Sequence, residues 1–399
     1  MRDSCPAGWA SKAELDRVGA FAALGGQEVW ARALREAQAE LAAGGAHLDA
    51  QGEVRAAAPA DPWEWADGFL PLPKRQRGLS RALEVRDRAD FLASLGHEDA
   101  ARVRSCGGPG AGGWLTALPV DAALRFDDGD FQIATRLRLG QHVLLGGERC
   151  ANEYSGIARN GAQRRATTCP GRLDSRGVHA LACLVGGGPR RRHDGLRDLL
   201  ATLLREAGYQ VLTERREPRW DRVRRDRCGR VWVERAKLDI RLEAPPEEPL
   251  TYLDVVVPTP TAETYRADAA RADGSAARRA AQAKHTRYPD TAGVPGRLVP
   301  LAVEAYGRWG EEGLAFLRAA AGRACLRCSA LGALAEQGPP AVLGAWLQKA
   351  SVGLQKANAA LLRSAAGSAA SWVDPQTGLD TCTLDILAMA EHLAAAAAE

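Results

Sequence analysis

The sequence has no long hydrophobic run. No stretch approaches the ~20 consecutive apolar residues that a membrane-spanning helix needs, which excludes a helical membrane protein. The opening residues, MRDSCPAGWASKAELD, carry no apolar block of the kind a secretion signal uses. Cysteine is thin for the length: nine in 399 residues, spread out rather than crowded. That excludes a small disulfide scaffold, favours an intracellular, reduced protein, and makes any Cys/His cluster a metal candidate. Methionine, phenylalanine and tyrosine are scarce beside alanine, arginine and glycine, a bias that a GC-rich genome alone would produce. A strong net charge is missing too, at +4 overall, but the distribution is uneven. From Arg164 to Arg241 there are twenty lysines and arginines against ten aspartates and glutamates. Such a stretch binds phosphate by displacing counterions, or else is a solvated face.

Residues 12 to 43 read as helices from their 3–4 spacing of apolar positions, a Pro-rich segment with two tryptophans follows, and residues 79 to 97 read as helical again. In FDDGDFQIATRLRLG, Asp130 is expected to cap a helix from Phe131 to Leu139. Phe126-Asp127-Asp128 lacks the apolar hairpin context of a polymerase palm and reads as a cap-rich loop. From Arg190 the pattern changes. Leu196, Leu199, Leu200, Leu203, Leu204 and Ala207 form one stripe on a helix of about fifteen residues, ended by Gly208. YQVLTE, RVWVERAKLDIRLE and LTYLDVVVP read as strands, ADAARADGSAARRAAQAKHTRY as a helix, GRLVPLAVEAYG as a strand and GEEGLAFLRAAAGRACLRC as a helix. This order predicts an α/β fold. Beyond about residue 335 the chain reads as Ala/Leu-rich helix, with an irregular piece around SWVDPQTG.

Asp239 in KLDIRL and Asp254 in YLDVVV are separated by fourteen residues that include a proline-marked turn. A hairpin there brings both carboxylates to one end of a sheet. Mg²⁺ or Mn²⁺ takes hard oxygen ligands such as these, and hydrolysis of a phosphodiester needs such an ion. A carboxylate inside an apolar strand also needs a partner or a metal, unless it sits at an exposed strand end. Lys284 in AQAKHTRY is a candidate to assist at the phosphate, or a surface lysine. Glu206 is a candidate third metal ligand or a solvated helix residue, and Glu304 in PLAVEAYG either joins the site or serves a strand-end hydrogen-bonding role.

CPGRLDSRGVHALACLVGGGPRRRH places Cys169, His179, Cys183 and His193 within 25 residues. A tetrahedral zinc site wants four N/S ligands. His179 and Cys183, at i and i+4, supply a helical pair, Cys169 a third ligand, and either Cys150 or His193 the fourth; packing without metal is the other reading. Cys325 and Cys328 stand in a C-x-x-C inside a helical pattern and read as small helix residues.

Taken together, these segments resemble the C-terminal part of proteins from early-branching, site-specific non-LTR retrotransposons. WLTALP (114–119) and FQIATRLRLG (131–140) look like the linker after a reverse transcriptase; CPGRLDSRGVHALAC resembles a Cys-Cys-His-Cys zinc motif; RRHDGLRD and PLAVEAYGRWG resemble the start and end of a restriction-like endonuclease. KLDI and DVVV are similar to the paired-aspartate signature, and Lys284, Arg287 and Tyr288 match a K-x-x-K-Y pattern. The resemblance spans about residues 85 to 365. It departs at Leu238, where a proline is usual, and at Thr167, where the first zinc cysteine is usual, and no polymerase palm or fingers pattern is found. The chain therefore reads as a fragment, a truncated copy or a domesticated remnant.

The resemblance implies a PD-(D/E)XK restriction-endonuclease-like mixed sheet flanked by helices and preceded by a helical region. The expected parts are a mostly helical region at 1–149, a zinc-motif-like segment at 150–189, an endonuclease domain at 190–330 and a helical extension at 331–399. The implied activity is metal-dependent nicking of target DNA, with a nuclear location expected; the residues add Asp239 and Asp254 as Mg²⁺ or Mn²⁺ ligands, Lys284 and Glu206 as assisting groups, and Cys150, Cys169, His179 and Cys183 as the zinc set. RNA is a further expected partner. The alternatives are a catalytically silent nucleic-acid-binding remnant and a decayed copy with no selected function.

Overall fold

The structure is a computed structural model, which describes residues 47–48, 54–55, 87–144, 146–154, 167–243, 250–289, 296–327 and 332–367. Contacts divide the chain into two units, Met1–Leu95 and Gly96–Glu399. In the first, His47–Leu48 pairs antiparallel with Val54–Arg55, and residues 87–94 are helical. The helix expected over 79–97 is thus seen in part, while the helices expected over 12–43, the Pro-rich segment and SWVDPQTG lie outside the described residues.

The second unit begins with α1 (His97–Ser105) and α2 (Asp128–Leu139). The cap of α2 differs from expectation. Asp127, in extended backbone, accepts the Asp130 amide at 2.6 Å, so Asp127 is the N-cap. Asp130 lies inside the first turn, buried and 2.5 Å from Arg363. A capping side chain must reach back from outside the helix, which only Asp127 can do.

Two short strands follow, β1 (Glu153–Tyr154) and β2 (Thr167–Thr168), paired antiparallel, and then α3 (Val178–Ala182). The expected Leu-striped helix is α4 (Gly188–Glu206). It is longer than expected at its start, where Gly187 takes the left-handed conformation (φ 70°) as N-cap, and Gly208 (φ 77°) follows its end. Leu196, Leu200, Leu203 and Leu204 are all buried, each contributing about 1.5–3 kcal/mol relative to exposure.

Next come β3 (Gln210–Arg216), β4 (Arg222–Arg225), β5 (Val231–Glu234), β6 (Lys237–Glu243) and β7 (Thr251–Val256). The single strand expected over RVWVERAKLDIRLE is therefore two. The Asp221 carboxylate accepts the Ala236 amide and the Glu217 amide donates to the Ala236 carbonyl, which ties down the junction between β5 and β6. β4 and β5 form a separate antiparallel ribbon, while β6 joins the main sheet.

After α5 (Glu263–Ala269), Gly274 at φ 67° breaks the helical segment expected as one piece, and α6 (Ser275–Arg287) starts behind it. β8 (Arg297–Ala302), α7 (Glu311–Arg327), α8 (Gly332–Glu336) and α9 (Pro339–Ala366) complete the unit. The sheet order is β8-β7-β6-β3, mixed, with only β8 and β7 parallel. Pro300 fits in β8 because this is an edge strand, where a missing ladder donor costs least.

One apolar cluster joins α4, α7 and α9 to one sheet face through Leu200, Leu204, Ile240, Leu253, Val255, Leu317 and Trp346. A second joins α2, α3, the cysteine loops and the end of α9; a third is centred on Trp114, which rings with Phe126 and Phe131, against Val352 of α9. α9 enters all three, and the described residues from Gly96 onward belong to one compact unit.

Candidate functional site

Strand alternation decides which way the aspartates face. Ile240 pairs with Leu253 across the β6–β7 ladder, and both enter the helical core. The neighbouring positions, Asp239 and Asp254, therefore stand opposite one another on the other face. Both are buried, at 7% and 3% exposure. Each carboxyl shifts the titration of the other. Lys284 of α6 brings Nζ to 2.6 Å from Asp254 Oδ2. That ammonium is off the direction of a hydrogen bond, so Oδ2 is a buried acceptor with no aligned donor.

Asp239 is held from two sides. Its Oδ2 accepts the Val255 amide at 2.8 Å and lies 2.9 Å from His193 Nε2. The other His193 ring nitrogen is 3.1 Å from Asp194. Burial alone would raise the Asp239 carboxyl, but the bonds from His193, Asp254 and the Val255 amide carry it below the ordinary carboxylate range. Asp254 goes the other way: burial raises it, Lys284 opposes, and the Asp239 charge adds to the rise. The two carboxyls therefore titrate as a pair, Asp239 ionising first and Asp254 raised to about 7. Burial works against the Lys284 charge, yet the two aspartates hold its pKa above the usual lysine value.

Glu214 sits at φ 55° opposite Asp239 in the β3 register and takes ion pairs from Arg190, Arg197 and Lys237. Glu206 does not join the site. It lies thirteen residues beyond His193 on α4, about 20 Å along the helix axis, and is partly exposed. Glu304 does not join either. It follows β8, is 2% exposed, and accepts the Ala277 amide at 3.1 Å, so it holds the first turn of α6, the hydrogen-bonding role expected as its alternative.

A second cluster lies in the cysteine loops. Cys150, Cys169, His179 and Cys183 offer four ligand atoms within 4.8 Å of one another, a set that could hold a metal such as zinc. Cys183 Sγ lies 3.9 Å from Cys150 Sγ and 3.6 Å from Cys169 Sγ, and Cys169 Sγ is 3.5 Å from His179 Nε2. A tetrahedron with metal–sulfur bonds of ~2.3 Å has edges of about 3.8 Å. The backbone prepares this arrangement: Asp174 accepts the Val178 and His179 amides at 2.9 and 2.7 Å, starting α3 so that His179 projects at Cys169. The fourth position belongs to Cys150, not to His193, whose imidazole is engaged by Asp239 and Asp194. Thr167 is exposed in β2. Cys325 is partly buried on α7, and Cys328 lies outside the described residues.

His193 as the partner of Asp239, and Glu214 opposite Asp239 in the register, are groups the sequence reading did not assign there. The only signal was the charged run RRRHD at the start of a Leu-striped helix. No protein-family model and no curated protein sequence matches this chain.

Proposed function

We propose that this protein is a metal-dependent DNA endonuclease of the PD-(D/E)XK kind, related to the nicking domain of site-specific non-LTR retrotransposon proteins. The observation that carries the reading is the buried pairing of Asp239 and Asp254 with Lys284 at 2.6 Å. Two aspartates buried side by side need counter-charge; Lys284 and His193 supply part of it, and a divalent cation would supply more. Asp254 Oδ2 meets Lys284 Nζ without an aligned hydrogen bond, and a hard ion would take up that oxygen beside or in place of the ammonium.

Asp239 and Asp254 would hold Mg²⁺ or Mn²⁺, which lowers the pKa of a bound water and offsets charge on the phosphate. His193 and the Val255 amide keep the Asp239 carboxylate ionised and in one orientation. Lys284 keeps its proton and can donate to a phosphate oxygen as charge develops there. Zinc on Cys150, Cys169, His179 and Cys183 would serve structure, because a closed four-ligand set leaves no open position. Target DNA as partner implies a nuclear location, and RNA is a further partner suggested by the resemblance.

The test is nicking of supercoiled DNA in Mg²⁺ or Mn²⁺. The wild-type protein should nick, and Asp254→Ala should lose nicking while keeping salt-sensitive binding. A wild-type protein that binds DNA and nicks with neither metal overturns the proposal in favour of a silent nucleic-acid binder.

A further inference from the structure

The β4–β5 ribbon stands outside the main sheet, and its side chains are not what a solvated hairpin needs. Val223, Val231 and Val233 are 74%, 51% and 54% exposed. The register pairs Val223 with Val233 and Arg225 with Val231, which puts three valines and Arg225 on one face. On the other face the charges are engaged by the protein itself: Arg224 binds Glu234 at 2.6 Å, and Arg287 of α6 binds the same carboxylate at 3.0 Å. The tip is built by Asp226, whose carboxylate accepts the amides of Cys228 and Arg230. Its negative charge thus serves the turn. The guanidinium groups of Arg225, Arg227 and Arg230 are exposed and have no ion pair among the described residues.

An apolar face with free cations at one end fits a partner that carries apolar and hydrogen-bonding edges between rows of anions. We infer that the β4–β5 ribbon is an arm that enters the major groove of duplex DNA, its valine face against base edges and its tip arginines on flanking phosphates. This rests on the reading that the protein acts on DNA. B-form DNA has a major groove about 12 Å wide that admits a two-stranded ribbon, and thymine methyl groups there meet apolar side chains. The A-form major groove of duplex RNA is too narrow for side chains to read, and single strands want stacking aromatics; the ribbon's one aromatic, Trp232, 46% exposed, lies on the opposite face beside Arg224. The root of the arm also suits the role. Arg222 donates to the Thr286 and Arg287 carbonyls at the end of α6, one turn beyond Lys284. The arm's root is thus tied to the helix that carries Lys284.

The test measures binding of the full chain to a labelled duplex by anisotropy, in buffer without Mg²⁺, Mn²⁺ or chelator, so that nicking plays no part. Arg225→Gln/Arg227→Gln/Arg230→Gln should weaken binding by about tenfold or more and reduce the slope of log affinity against log salt by about 2.7, since each phosphate contact contributes about 0.9. Val223→Thr/Val231→Thr/Val233→Thr should weaken binding about fivefold with the slope unchanged, because only apolar contact is removed. Methyl green, a major-groove ligand, should displace the wild-type protein, and distamycin, a minor-groove ligand, should not. Wild-type binding in both triple variants, displacement by distamycin alone, or equal affinity for duplex RNA each overturns the arm. Loss of binding in the variants of a protein that never nicks leaves the arm standing and removes only the endonuclease reading.

Discussion

Removing the Lys284 ammonium should destabilise the protein in a way that depends on pH, and the structure sets the size. Asp254 has a side chain 4% exposed and its partner Lys284 one 26% exposed. Breaking a buried ion pair by deleting one member costs about 3–5 kcal/mol, because the other charge is left without compensation. Lys284 keeps some access to water, so the lower end applies: about 3 kcal/mol for Lys284→Met, which keeps the apolar stem. The cost appears only while Asp254 is ionised. Burial already raises the Asp254 carboxyl, and the ammonium is the main influence opposing that rise. A carboxyl raised on folding contributes stability that is complete below its unfolded pKa of about 3.9 and is lost as pH climbs through the folded value. Lys284→Met should therefore match the wild type within about 1 kcal/mol at pH 5 and fall behind by about 3 kcal/mol at pH 8.5. Urea unfolding followed by circular dichroism, without divalent ions, measures both. Lys284→Met/Asp254→Asn should recover most of the loss at pH 8.5. An equal deficit at both pH values, or a double variant no better than the single one, would refute the reasoning.

The cysteine cluster predicts about one zinc per chain by metal analysis, and Cys183→Ser should lower both zinc content and thermal stability, since structural zinc contributes directly to folding. Leu204→Ala, at a residue fully buried between α4 and the sheet, should cost about 2–5 kcal/mol in urea unfolding through the cavity it leaves. Asp127→Ala should cost about 1 kcal/mol, whereas a helix capped by Asp130 would show no such loss.

Much of this arrangement was legible in the sequence, and the reasons are specific. The Leu196–Leu204 stripe has helix period and is buried where expected. Two strands of apolar alternation, paired antiparallel, put Asp239 and Asp254 on one face, because the side-chain period of a strand is two. What sequence could not settle was the partner of each group. Cys150 and His193 were equal candidates for the fourth zinc position; only tertiary packing sends the imidazole to Asp239, 46 positions away. Glu206 is a different case. Its spacing from His193 on one continuous helix already implied separate ends, and helix rise alone argues against it. The β4–β5 ribbon was readable as RVRR–DRCG–RVWV, valine alternating with charge around a turn, yet a high arginine content hides that period within a general basic stretch.

The place of α9 in the chain bears on the order in which this protein is made. Its residues Val342, Trp346 and Leu354 complete the sheet core, Val352 the Trp114 cluster, and Leu361 and Leu362 the cluster around the cysteines. Synthesis runs at about 5–20 residues per second, and domains made early generally fold early. Here every apolar cluster that α9 enters waits for a segment translated after all four strands. Gly177 and Gly188 sharpen the dependence: a Cβ at either would fall within 2.3 Å of Leu362 or Leu361, so the last turns of α9 seat directly on backbone. Until they arrive, the sheet carries exposed apolar faces on the ribosome, and a nascent chain stalled before residue 342 should be bound by chaperones and cut readily by protease. Release of the finished helix would then close three clusters in one step.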